Sequence, residues 1–119
     1  MKIILDTDFL INAVKNKIDI ETALKQALDY NFTLHILDQS LEELKNKPLE
    51  KLVKQIIKTK NIKIIKTKKD ATVDNLIFKQ KPPFIVATQD KKLKEKLKKA
   101  KIPIITIRQK KYFKLQNVL

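Results

Sequence analysis

Cysteine, glycine and tryptophan are absent from the 119 residues, and histidine occurs once. Without cysteine there is no disulfide framework, no thiol nucleophile and no zinc–thiolate site. Without glycine there is no P-loop and no dinucleotide fingerprint, because both need backbone to approach phosphate more closely than a Cβ allows. Turns must then be built from Asn, Asp, Pro and Lys. The one histidine, His35, alternates with apolar residues in a strand-like run, which suits a structural position better than a catalytic one. Ser40 has no His–acid partner nearby in sequence, which disfavours a Ser-His-Asp hydrolase. No apolar run approaches the ~20 residues of a membrane span, and the N-terminus lacks the basic-then-apolar layout of a signal peptide. A cytoplasmic chain with no membrane partner is the expectation. Acids are also scarce, with 13 Asp+Glu against 27 Lys+Arg, for a formal charge of +14. Such an excess implies a polyanionic partner, and nucleic acid fits it better than an acidic protein or a membrane surface.

What is present alternates between two periods. Ile3, Ile4 and Leu5 form a continuous apolar run, as in a strand covered on both faces. Further strands are predicted at 33–37, 62–65, 84–87 and 102–107. Helices are predicted over 9–14, over 18–28 with Asp19 as cap, over 38–46 and from Pro48 with Leu49, Leu52, Val53, Ile56 and Ile57 inward. Two more follow over 70–79, with Asp70 as cap, and over 89–100, with Leu93, Leu97 and Ala100 inward. No linker or repeat interrupts the chain, so residues 1–119 read as one domain with a basic C-terminal tail over 108–119. The alternation predicts an α/β fold: a single-domain α/β/α sandwich around a parallel five-stranded sheet in the order 3-2-1-4-5.

In open α/β sheets, ligands bind beyond the carboxyl ends of central strands, where the chain reverses direction across the sheet. Asp6 ends the first strand and Asp90 lies just past the fourth, which places both acids at that point. Asp8 is either part of the site or, like Thr7, a cap for the next helix. Glu43 follows the second strand, though Ser40 with Glu43 also reads as a capping box; Glu42 has a weaker claim. Asp74 follows the third strand, though a first-turn acid is also favoured by the helix dipole. Clustered carboxylates stay ionised together only if a cation or protons offset them. Oxygen donors without Cys or His select Mg²⁺ or Mn²⁺, and such ions promote phosphodiester hydrolysis.

These same residues carry a resemblance. Ile4-Leu-Asp-Thr-Asp-Phe-Leu10 resembles the opening motif of PIN-domain nucleases, an apolar strand followed by Asp-Thr-Asn. Leu41-Glu-Glu-Leu44 is similar to that family's second motif, in which the Glu before Leu is the ligand. Val73-Asp-Asn-Leu-Ile77 is similar to the third motif and Val86-Ala-Thr-Gln-Asp90 to the fourth. The end, Ile102 to Lys111, resembles small archaeal PIN proteins related to small-subunit ribosomal RNA processing nucleases. The resemblance implies a Mg²⁺- or Mn²⁺-dependent endoribonuclease with Asp6, Glu43, Asp74 and Asp90 as catalytic metal ligands; Asp8 is a further expected metal residue whose added charge would alter metal affinity. The chain departs from the family where Asp8 replaces the usual Asn, Asn75 a common second Asp, and Gln89 a common Asn. A ribosomal precursor is the expected RNA. A VapC-type toxin with an antitoxin partner and a non-catalytic RNA-binding or assembly module are the alternatives within the scaffold, and a homodimer is a possible assembly. A haloacid-dehalogenase-type phosphatase shares Asp6-Thr-Asp8 but needs glycines and usually a longer chain.

The basic charge is concentrated at the end. Residues 91–119 hold ten Lys and one Arg against Glu95 alone, a net of +10. A solvated helix face usually mixes Glu with Lys for i,i+4 pairing, so phosphate is the expected counter-charge. Lys91, Lys92, Arg108, Lys110, Lys111 and Tyr112 are the expected RNA contacts, with Tyr112 and Phe113 available to stack on bases.

Overall fold

The computed structural model describes residues 1–68 and 71–116. In chain order the elements are β1 (Lys2–Leu5), α1 (Thr7–Lys15), α2 (Ile20–Ala27), β2 (Thr33–Leu37), α3 (Asp38–Leu44) and α4 (Glu50–Thr59). They continue with β3 (Lys63–Ile65), α5 (Val73–Phe78), β4 (Phe84–Ala87), α6 (Lys91–Lys99), β5 (Ile104–Arg108) and β6 (Tyr112–Gln116). The strands form one sheet in the order β3-β2-β1-β4-β5-β6. All neighbours pair in parallel except β6, which runs antiparallel to β5.

The expected order is present, with a sixth strand added at the edge. Of the stretch 108–119 read as a basic tail, Arg108 ends β5, Tyr112–Gln116 is this sixth strand, and 117–119 lie outside the described residues. The strand's period of two was in the sequence: Phe113 and Leu115 point into the core while Tyr112 and Lys114 face out. Phe113 packs on Phe9 with ring centroids 4.8 Å apart, so it is a core aromatic and not a base-stacking one. β5 starts at Ile104 and not at Ile102, since Pro103 has no N–H to give the ladder.

Each central strand sends alternate side chains to two cores. Ile3, Leu5, Ile36, Ile85 and Ile105 pack with residues of α1, α2, α3 and α4. Ile4, Leu37, Val86 and Ile104 pack with residues of α5 and α6. This double burial explains the unbroken apolar run of β1, and each such side chain contributes about 1.5–3 kcal/mol. α4 buries Val53 and Ile57, but Leu52, one position round the helix, is 49% exposed. α4 also starts at Glu50, after Leu49 in a left-handed conformation, and not at Pro48. Ala100 is the exposed C-cap of α6. α5 is capped by Thr72, whose hydroxyl accepts from Asn75 N; Asp70 lies outside the described residues.

Turns are closed without glycine at a steric cost. Seven described residues have positive φ. Three of them, Lys17, Asn61 and Lys101, stand just past the ends of α1, α4 and α6, where glycine is usual. In each case the next residue is an isoleucine whose N–H reaches back into the last turn: Ile18 to Ala13 O, Ile62 to Ile57 O and Ile102 to Leu97 O. Ile62 is buried and the other two are half-buried, so the apolar anchor helps hold the strained residue before it.

Candidate active site

Asp6 is the first residue after β1 and the cap of α1. Its Oδ1 accepts from Thr7 N at 3.0 Å, so Asp6 takes the capping role that Thr7 and Asp8 were candidates for. Its Oδ2 accepts from the Thr88 hydroxyl at 2.9 Å. The residue is only 8% exposed. Burial pushes its carboxyl up from 3.8 to about 6, opposed by the Thr88 hydrogen bond. The charge of Asp8 adds to the rise, the Thr7 N–H opposes it, and Glu43 adds again.

Asp90 reaches the same place from β4. The fully buried Thr88 that donates to Asp6 also accepts from Asp90 N at 3.1 Å, so one hydroxyl ties the two acidic segments together. Asp90 caps α6 through Oδ1, which accepts from Lys92 N and Leu93 N at 2.9 and 3.2 Å. Gln89, between them, accepts from Ile107 N through Oε1 and fixes the loop to β5.

Glu43 comes from α3. The capping-box pairing does not form: α3 begins at Asp38 and Ser40 lies inside it, buried, its carbonyl accepting from the Thr7 hydroxyl at 3.0 Å. Partial burial raises the Glu43 carboxyl, Lys47 lowers it, Asp8 and Asp74 raise it, and the Thr7 hydroxyl lowers it. Its acidic neighbours are therefore Asp8, Asp74 and Asp6. Asp74, in the first turn of α5, faces Lys96 at 3.9 Å. Glu42 pairs with Lys45 at 2.8 Å.

Asp6 and Asp90 thus meet through Thr88 at the carboxyl ends of β1 and β4, with Asp8 and Glu43 in electrostatic reach of Asp6 and Asp74 in reach of Glu43. As the side chains stand, no three Asp, Glu or His among the described residues form a group that could hold a metal ion. Mutual repulsion works against closer approach, and Asp90 and Asp74 are each engaged by their own surroundings, one by the first turn of α6 and the other by Lys96. The donor chemistry does fit a hard cation. It is all carboxylate, and the two acids most affected by burial, Asp6 and Glu43, also raise or are raised by acidic neighbours. His35 lies elsewhere, its Nε2 2.9 Å from the Thr33 hydroxyl.

The basic residues fall into two groups. Lys91 and Arg108 line one recess between α6 and β5, together with Lys94 and Lys98. Lys110 and Lys111 line another, with the loop between α1 and α2. Lys92 is exposed in the first turn of α6, and Tyr112 is 43% exposed on β6. Thr88 was not singled out from sequence, and Thr7 only as a helix-cap candidate. The available signal was a hydroxyl residue directly after a strand beside a carboxylate, since a buried carboxylate needs donors.

Residues 3–110 match a family model described as PIN like domain. Ribonuclease VapC4 of Methanocaldococcus jannaschii is 37% identical over 125 residues, which span 96% of this chain and 95% of that protein. The solved structure of the PIN domain endonuclease Utp24 matches with a TM-score of 0.86 and 25% identity, over 99% of this chain and 92% of that one. The order of the acids along the chain, the sheet that gathers them and these likenesses agree: the chain belongs to the PIN-like domain family.

Proposed function

We propose that this protein is a Mg²⁺- or Mn²⁺-dependent endoribonuclease. The observation that carries the reading is the buried Asp6 carboxyl, joined through Thr88 to Asp90 and surrounded by Asp8 and Glu43, in a chain of charge +14. The names of the two similar proteins, a ribonuclease and an endonuclease, support the same reading. Asp6, Glu43, Asp74 and Asp90 would hold the cation, with Asp8 at its edge. A bound divalent ion supplies a water of lowered pKa and offsets charge that builds on the phosphate. Thr88 holds the Asp6 carboxylate in place, and Thr7 ties α1 to α3 so that Glu43 faces it. The α6 lysines and Arg108 draw the RNA backbone toward the acids.

Processing of a ribosomal precursor is the first biological reading, from the motifs at the chain end. A VapC-type toxin paired with an antitoxin is the second, favoured by the 37% identical relative of that name. Growth arrest on expression, relieved by a small neighbouring gene, would select the second. The chemistry is tested by incubating structured and single-stranded RNA with the protein in Mn²⁺, Mg²⁺ or EDTA and mapping the ends. Internal cuts that need the ion are expected; equal cutting in EDTA would overturn the metal assignment.

A further inference from the structure

Between α6 and the β5–β6 hairpin lies a recess whose side chains the acid site does not use. Lys91, Lys94 and Lys98 stand at i, i+3 and i+7, one face of the helix, and Arg108 closes the recess from the end of β5. Among the described residues none of these four cations lies within ion-pair distance of an acid. Burial lowers the Lys94 ammonium, and so do the charges of Arg108, Lys98 and Lys91, with only Asp90 opposing. Glu95 also lines the recess, so four cations face a single acid there and, among the described residues, none of the four is held in an ion pair.

Two buried side-chain atoms on residues that line the recess have no hydrogen-bond partner among the described residues. Thr106 Oγ1 is buried on a residue 2% exposed, and Gln116 Oε1 is buried beside it on β6. The pairing of β5 with β6 sets Ile104 opposite Gln116 and Thr106 opposite Lys114, so Thr106, Arg108 and Gln116 share a face. A buried hydroxyl normally finds an acceptor, and among the described residues this one has none.

We propose that this recess is a phosphate subsite that seats one phosphodiester of single-stranded RNA. The Thr106 hydroxyl donates to a phosphate oxygen while Lys94 and Arg108 offset its charge; a half-turn of the Gln116 amide presents its NH₂ to the same group. Lys91 directly follows Asp90, so a strand held here passes the acids. The proposal rests on the ribonuclease reading and adds where the substrate is gripped.

The test uses the full chain in EDTA, with a 2′-O-methyl RNA oligonucleotide followed by fluorescence anisotropy across a salt series. Lys94→Ala with Arg108→Ala should reduce the salt slope by about 0.7, the value for one phosphate on a single strand. Thr106→Val keeps the side-chain shape and removes the unpartnered hydroxyl. It should leave the melting temperature equal or higher yet weaken RNA binding about tenfold, the scale of a hydrogen bond to a charged group. A purely structural threonine would leave affinity unchanged. Unchanged slope and affinity in these variants, while the wild type still cuts RNA, would overturn the subsite alone. Inorganic phosphate that shifts the NMR signals of Thr106 and Arg108 without any effect of the variants on RNA binding would assign the recess to free phosphate and also overturn it. If the wild type neither binds nor cuts RNA, the ribonuclease reading falls, and the proposal with it.

Discussion

Replacing Asp6 by Asn isolates the cost of burying this carboxyl. The group ordinarily titrates at 3.8 and is raised to about 6 in the fold. Between those values the native state keeps a proton that the unfolded chain has given up, so stability falls as pH rises through the interval and levels off above it. At 1.36 kcal/mol per pH unit, the carboxylate costs the fold about 3 kcal/mol above pH ~6. Asn is as good a helix cap as Asp and can still accept from Thr7 N. Its amide donates to Thr88 Oγ1 where the carboxylate accepted, which leaves the threonine proton unused at a cost of about 1 kcal/mol. The net gain is about 2 kcal/mol, or about 8 °C in melting temperature for a domain of this size. Thermal unfolding in EDTA at about pH 8 should show this gain, and at about pH 4 it should be lost, leaving the variant about 1 kcal/mol less stable through the unused threonine proton. With Mn²⁺ added, the wild type should gain stability as RT ln(1 + [Mn²⁺]/Kd) while the variant should not. A variant less stable than the wild type at the higher pH in EDTA, or a difference independent of pH, would refute the reasoning.

Phe113→Ala should cost about 3–5 kcal/mol in denaturant unfolding, because the ring is a core partner of Phe9 and β6 is structural. Lys101→Gly should stabilise by about 0.5–1 kcal/mol, since glycine removes left-handed strain that exceeds its own entropy cost; a lower melting temperature would count against the capping account. Lys110→Ala with Lys111→Ala should weaken RNA binding and flatten its salt dependence without altering Mn²⁺ affinity; an unchanged slope would leave these lysines as solvated turn residues.

Much of the architecture was legible because each strand is bounded by a change of period. Ile3 to Leu5 and Phe84 to Ala87 are apolar on both faces, as central strands are, and right-handed crossovers then favour the order found around them. β6 was obscured by charge: Lys110, Lys111 and Lys114 mask the alternation of Phe113 and Leu115, which appears only when the edge of β5 is there to pair with. The candidate acids could be named from their positions after strands. Their contacts could not, because the hydroxyl of Thr88 reaches Asp6 across 82 residues of sequence. Ser40 shows the opposite failure: a local capping pattern was overridden by Thr7, which draws the carbonyl of Ser40 into the packing of α1 on α3. The unpartnered Thr106 is likewise invisible in sequence, since its lack of a partner is a property of the packed recess.

The central claim is that the acids gathered at the ends of β1 and β4 cut RNA. Asp90→Asn tests it most directly, because Asn still caps α6 and the fold should be preserved. Single-turnover cleavage of a labelled RNA in Mn²⁺ should fall at least ~100-fold, in line with loss of electrostatic stabilisation at a reacting centre, while RNA affinity in EDTA stays the same. Wild-type cleavage by the Asp90→Asn protein would contradict the account.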